Sequence, residues 1–162
     1  MSETVHTVNI RLKRLKDYSL KRAWLKDTIL AVLAAEKVSG PLEIDCMITD
    51  DSAIRALNRK YRGIDEPTDV LSFALDEAGP ADSVFPGPPG PSTRMGILVV
   101  SYPTALAQAA RNHVTVEEEL RLLLVHGVLH ILGYDHSGRA DALAMRRRER
   151  GIVGLLGRPG QR

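Results

Sequence analysis

Short apolar segments of strand length alternate along this chain with longer segments in which apolar residues recur at helical spacing. The strand-like segments are 5–12, 42–49, 68–74 and 95–101; helices are predicted from Ser19 to about Lys37, from Asp50 or Asp51 past Tyr61, from Pro103 to about His113, from Thr115 to near Leu132, and over about 140–155. No segment repeats another. Four strands mixed with five helices predict an α+β fold.

The length of 162 residues fits one domain spanning 1–162. Hydrophobic residues make up 44% of the chain and charged residues 26%, which is typical of a globular protein. The only cysteine, Cys46, lies in an apolar strand-like segment and is predicted to be a buried, inert thiol. We find neither a bilayer-spanning apolar run nor a signal-peptide core, and therefore expect a soluble cytoplasmic protein without membrane contact.

Segment 79–91 is expected to be a flexible loop, because eight of its thirteen residues are Gly or Pro. Residues 157–162 are expected to form a disordered tail. Charge is uneven: residues 1–40 carry eight Lys or Arg against four Asp or Glu, residues 41–139 eight against fourteen, and residues 140–162 six against two. Basic ends could contact a polyanion, but solvated helix faces, including Arg146–Arg148, are the alternative.

Three of the five histidines lie in the segment His126-Gly-Val-Leu-His130-Ile-Leu-Gly133-Tyr-Asp-His136. His126 and His130 are one helical turn apart, so both imidazoles project from the same face about 6 Å apart along the axis. Gly133 can adopt the left-handed conformation that ends a helix, which lets the returning chain bring His136 to the other two. Three imidazoles leave the fourth position of a tetrahedral zinc ion to water, as in catalytic sites. A structural zinc site is the competing use, but such sites are usually closed by four ligands and rich in cysteine.

The same spacing occurs in metzincin proteases, H-x-x-x-H-x-x-G-x-x-H, in which Glu directly after the first histidine is the general base. Here that position is Gly127. Peptide hydrolysis by this mechanism lacks its proton acceptor. A metzincin-like metalloprotease without its Glu is therefore the least favoured function.

The second unusual segment is Asn58-Arg-Lys-Tyr-Arg62-Gly-Ile-Asp65-Glu-Pro-Thr-Asp69-Val-Leu-Ser-Phe73. It predicts a helix end, a polar turn and a strand. Arg62 could make a bidentate contact to phosphate. Alternatively, it pairs with Asp65 or Asp69 and holds the turn, and the residues alone leave both interpretations open.

Together, these two segments resemble the signatures of the YbeY endoribonuclease family of ribosomal RNA maturation factors. The resemblance covers about residues 42–156, with a looser match in the N-terminal strand and helix. It implies a mixed four-stranded sheet packed with helices, and a metal site on a helix and the turn after it. It also implies that His126, His130 and His136 hold one Zn²⁺ per chain, and that these histidines and Arg62 are the catalytic residues.

The activity implied by the resemblance is a single-strand-specific, metal-dependent endoribonuclease. Its implied roles are maturation of the 16S rRNA 3′ end, ribosome assembly and ribosome quality control. The implied partners are RNA, above all rRNA, the small ribosomal subunit with its proteins, and the ribosome-associated GTPase Era. A non-catalytic, zinc-containing ribosome assembly factor is the alternative from another functional class.

The chain departs from the resembled pattern in two places. The strand before the metal helix usually reads L-G-D-[IL]-V-I-S in that family, whereas Ile97 replaces the acidic residue here. The segment 79–91 is also longer than the expected connection. Asp135, next to His136, is a candidate hydrogen-bond acceptor for a ligand imidazole, and a helix-capping or surface role is equally compatible with its position.

Overall fold

The computed structural model describes residues 5–15, 20–74, 94–134 and 138–157. The elements, in chain order, are β1 (Thr7–Leu12), α1 (Arg22–Ala35), β2 (Leu42–Thr49), α2 (Asp51–Arg62), β3 (Val70–Phe73), β4 (Arg94–Ser101), α3 (Tyr102–Asn112), α4 (Val116–Ile131) and α5 (Arg139–Leu156). These four strands and five helices confirm the predicted α+β class. The predicted loop 79–91 and the tail beyond residue 157 lie outside the described residues.

The four strands form one mixed sheet in the order β1-β2-β4-β3. β1 pairs with β2 and β2 with β4 in parallel, whereas β3 pairs antiparallel with β4. Parallel neighbours need a long crossover connection, and α1 supplies it between β1 and β2. In this strand order, the short antiparallel strand β3 lies at one edge of the sheet, beside α4.

Helices cover both faces of this sheet. On one face, α4 is the central helix and packs against the sheet, α1, α3 and α5. Cys46 is fully buried in this core, and burial raises the pKa of its thiol to about 12, so the prediction of an inert cysteine is confirmed. On the other face, α2 packs Ile54 into a smaller cluster that includes Phe73 and Val99.

Two of the predicted helix starts are confirmed by side-chain caps. Asp50 accepts a hydrogen bond from the Ala53 amide (2.9 Å), and Thr115 accepts one from the Glu118 amide (3.1 Å). The predicted cap at Ser19 is wrong, because α1 has Lys21 at its N-cap position. Lys21 has an extended backbone, and its carbonyl accepts the first hydrogen bonds of the helix without help from a side chain.

No helix in the described parts of the chain is both long enough and apolar enough to cross a membrane.

Candidate functional site

A groove of about 540 Å³ runs between the edge strand β3 and the C-terminal end of α4. It brings together Arg62, His126 and His130, three of the four predicted catalytic residues, although more than sixty residues separate the arginine from the histidines. The other lining residues are Asp69, Val70, Leu71, Ser72, Ala74, Gly133 and Tyr134. The fourth predicted residue, His136, lies outside the described residues.

The two histidines lie on one face of α4, as their spacing predicts. Their ring centroids are 5.7 Å apart, and the ring planes are inclined by 70°. The His126 side chain is one-third exposed, and His130 is half-buried. Both imidazoles therefore reach the groove from a helix whose other residues form much of the core.

The chain leaves α4 at the predicted glycine. Gly133 has a φ of +106°, in the region that favours glycine. Its amide donates to the His130 carbonyl, and the Tyr134 amide donates to the Leu129 carbonyl, both at 3.1 Å. These bonds close the helix and turn the chain just before Asp135 and His136, which lie beyond the described residues. The role considered for Asp135 therefore stays a prediction.

A carboxylate that the sequence analysis missed contacts the first histidine. Glu149 of α5 is hydrogen-bonded through Oε1 to Nδ1 of His126. Its position carried a signal: it is the one acid among four arginines, four residues after the buried Met145 and three before the buried Ile152. A carboxylate on the buried stripe of a helix needs a partner, and His126 is that partner.

A second carboxylate, which is only 11% exposed, ties the turn after α4 to two other helices. Glu36, the residue after α1, accepts a hydrogen bond from the Tyr134 hydroxyl (2.9 Å) and another from Arg148 Nε (2.7 Å). Burial raises the pKa of Tyr134, and Glu36 raises it further. Arg148 thus bonds Glu36, whereas Arg146 and Arg147 are exposed on the outer surface of α5.

Arg62 is the last residue of α2 and reaches the groove from the side opposite the histidines. Its Nη2 donates to the Ser72 carbonyl at 2.8 Å, and its guanidinium carbon lies 4.8 Å from the centroid of the Phe73 ring. A guanidinium can stack on an aromatic face and still present N–H donors at its edges. The strand β3 therefore orients the Arg62 side chain along the groove.

The two carboxylates considered as partners of Arg62 are engaged by other groups. Asp65 pairs with Arg55 (2.9 Å), and this hydrogen bond lowers the pKa of Asp65. Asp69 accepts hydrogen bonds from the Val70 amide (2.7 Å) and from the Gln108 side chain (3.2 Å). These contacts of Asp65 and Asp69 therefore hold the turn after α2.

The donor chemistry of the groove fits a zinc-like ion. Two imidazoles share one helix face, and Nδ1 of His126 is bonded to a carboxylate, the usual arrangement when the other ring nitrogen binds a metal. Within the described residues, no group of three or more His, Cys, Asp or Glu side chains could hold an ion. His136 would be the third donor, so the three-histidine ligand set stays a prediction.

The position in β4 where the family usually has an acidic residue lies outside the groove. Ile97 is buried on the face of the sheet that α2 covers, in the cluster with Ile54 and Phe73. It is absent from the groove lining. Ile97 therefore takes no part in lining the described part of the histidine site.

The family model described as endoribonuclease YbeY matches residues 8–157. The chain belongs to the YbeY endoribonuclease family. The match confirms the resemblance carried by the two sequence signatures and extends it to β1 and α1. Relatives support the assignment: "Endoribonuclease YbeY" of a Roseiflexus species is 42% identical over 158 residues, covering 97% of each chain. That of Moorella thermoacetica is 44% identical over 133 residues, covering 82% of this chain and 85% of the relative.

A solved structure agrees with this YbeY fold. The solution structure of TM1509 from Thermotoga maritima superposes with a TM-score of 0.54 at 25% sequence identity. The match covers 94% of this chain and 99% of the other. The two chains thus share the same overall fold.

Proposed function

We propose that the protein is a zinc-dependent endoribonuclease that cleaves single-stranded RNA. Its proposed roles are maturation of the 16S rRNA 3′ end, ribosome assembly and ribosome quality control in the cytoplasm, with the small ribosomal subunit and the GTPase Era as partners. The observation that carries the proposal is one groove holding two metal-type imidazoles opposite an arginine. Family membership and the names of the relatives support it.

In this proposal His126, His130 and His136 hold one zinc ion. When bound, such an ion lowers the pKa of a water toward about 7 and polarises a phosphoryl oxygen. This chemistry requires no glutamate at position 127, which is where the metzincin mechanism would need one. The helix α4 holds His126 and His130 in fixed positions, because it is packed into the core along its length.

Arg62 would bind the RNA phosphate at the opposite wall of the groove. A guanidinium offers donors in a fixed fork that matches two phosphate oxygens. Its hydrogen bond to Ser72 and its stacking on Phe73 hold the side chain in one orientation, which lowers the entropy lost on binding. From there it stabilises the negative charge that builds up on the phosphate in the transition state.

A cleavage assay with matched variants tests the proposal. Zinc-loaded wild type is expected to cleave labelled single-stranded RNA and to leave a duplex of the same sequence intact. His130→Ala, purified in parallel to expose contaminating nuclease, should lose cleavage. Arg59→Ala is the control for Arg62→Ala, because Arg59 is exposed on the same helix but lies outside the groove. Arg59→Ala should cleave RNA like wild type.

Two outcomes would contradict this function. Equal cleavage by wild type and His130→Ala would show that the histidine site does not catalyse the reaction. Binding of ribosomal RNA by a zinc-loaded protein that leaves every RNA intact would favour the non-catalytic assembly factor instead.

A further inference from the structure

The contact between Glu149 and His126 joins two helices that are far apart in sequence. Glu149 lies on α5 and His126 on α4, and the carboxylate Oε1 is hydrogen-bonded to the ring Nδ1. The Glu149 side chain is only 14% exposed and that of His126 is 33% exposed. A bond shielded to this extent can hold the ring in one orientation.

The bond also decides which ring nitrogen carries the proton. An ionised carboxylate only accepts hydrogen bonds, so Nδ1 of His126 must be the donor. In the neutral imidazole Nε2 then carries the lone pair. With Nδ1 turned toward α5, Nε2 is the nitrogen that would bind a metal in the groove that His126 lines.

The position of Glu149 is held by the packing of α5. Met145, one turn earlier, is 2% exposed, and Ile152, one turn later, is 1% exposed. The neighbouring Arg148 bonds Glu36 at the end of α1. Core contacts and an ion pair made by neighbouring residues of α5 therefore hold the backbone at Glu149 in place. The Glu149 carboxylate contacts His126 from this fixed position.

We infer that Glu149 is a positioning residue for the metal site: it holds the His126 ring with Nδ1 protonated and Nε2 presented to the groove. The inference rests on the metal-binding part of the proposed function and is independent of RNA cleavage. A carboxylate in this place prevents the ring from rotating and fixes the orientation of the ligand nitrogen. The competing role is a purely structural link between α4 and α5.

The decisive variant is Glu149→Gln, which keeps the shape of the side chain and removes its charge. Zinc affinity, measured by competition with a chromophoric chelator, is expected to fall by about 10- to 100-fold, the usual effect of removing such a partner. Glu117→Gln is the matched control, because Glu117 is exposed in the first turn of the histidine helix. Its zinc affinity should equal that of the wild type.

A second measurement needs no metal. In the ¹⁵N-labelled, zinc-free protein, ring nitrogen chemical shifts should show His126 with Nδ1 protonated in wild type and as a mixture of tautomers in Glu149→Ala. Thermal unfolding of the zinc-free Glu149→Gln protein distinguishes the positioning role from a purely structural one. A purely structural link between α4 and α5 predicts a lower melting temperature with an unchanged zinc affinity. Wild-type zinc affinity in Glu149→Gln, or an unchanged His126 tautomer in Glu149→Ala, would overturn the inference. If wild-type protein binds zinc but cleaves no RNA, the proposed function fails and this inference stands.

Discussion

Gly127 lies directly against Leu98 of the sheet: a β-carbon at Gly127 would come within 2.3 Å of Leu98 Cδ2. Val70 Cγ2 would be only 3.3 Å away. Leu98 is fully buried beneath α4, so it has little room to move. The position after the first histidine therefore faces the sheet, where the side chain of a glutamate would clash with Leu98 from its β-carbon onward. Close packing of the helix on the sheet is thus incompatible with a glutamate at this position.

Gly127→Ala is expected to destabilise the protein by up to about 2 kcal/mol. The clash with Leu98 costs roughly 1–3 kcal/mol, as for other overpacked cores, and the better helix propensity of alanine returns up to about 1 kcal/mol. Urea unfolding measures the difference. Gly151→Ala is the control, because Gly151 lies within α5 with nothing within 4 Å of its would-be β-carbon. That variant should gain about 0.5–1 kcal/mol, and a similar gain for Gly127→Ala would contradict the packing.

Arg62→Ala should strongly reduce RNA processing while leaving zinc content unchanged. Because one phosphate contact is lost, the slope of log affinity against log salt should become shallower by about one unit. Stability should fall by at most about 1 kcal/mol, since the side chain is exposed. Arg62→Lys keeps the charge but loses the fork and the stacking on Phe73, so it should also be impaired. Wild-type processing by both variants would place Arg62 outside the active site.

Asn58→Ala is expected to cost about 0.5–1.5 kcal/mol, the usual net contribution of a hydrogen bond, since the bond that is lost is partly buried. Asn58 is 5% exposed, and its side-chain Nδ2 donates a hydrogen bond to the Glu66 carbonyl at 2.9 Å. This bond fastens the turn after α2 to the helix. The turn connects Arg62 to the strand that orients it. Denaturant unfolding should show the loss, and Arg59→Ala, exposed one residue along the helix, should stay within about 0.5 kcal/mol of wild type.

Asp45→Asn should raise stability at neutral pH relative to wild type. Burial raises the pKa of Asp45; the hydrogen bond from Asn9 lowers it, Glu43 raises it and Arg11 lowers it. Folded Asp45 therefore keeps its proton at pH values where the unfolded chain has lost it. Its contribution to stability is present below the ordinary pKa of 3.8 and is lost as pH rises through the folded value.

The measurement for Asp45 is thermal unfolding of wild type and Asp45→Asn between pH 3 and pH 7. The advantage of Asp45→Asn should grow with pH and then level off. Asp27→Asn, an exposed position on α1, is the control and should run parallel to wild type. A pH-independent difference between Asp45→Asn and wild type would contradict the shifted pKa.

Local patterns were sufficient for most elements of the fold. The caps at Asp50 and Thr115 were predictable because a side chain bonds a backbone amide three residues away. The start of α1 was not, because Lys21 caps through its backbone conformation and carries no sequence signal. The shared face of His126 and His130 and the turn at Gly133 were also predictable from local sequence. They depend on helical periodicity and on the φ of one residue.

The sequence by itself determined the α+β class, the shared face of His126 and His130, and the two signatures of the family. Only the tertiary structure decided which groups meet across the groove. Arg62 bonds Ser72 rather than serving as the partner of Asp65, and Glu149 rather than a neighbour in sequence contacts His126. The physical reason is range: periodicity specifies what a residue faces on its own helix, whereas partners on other elements depend on how helices pack on the sheet.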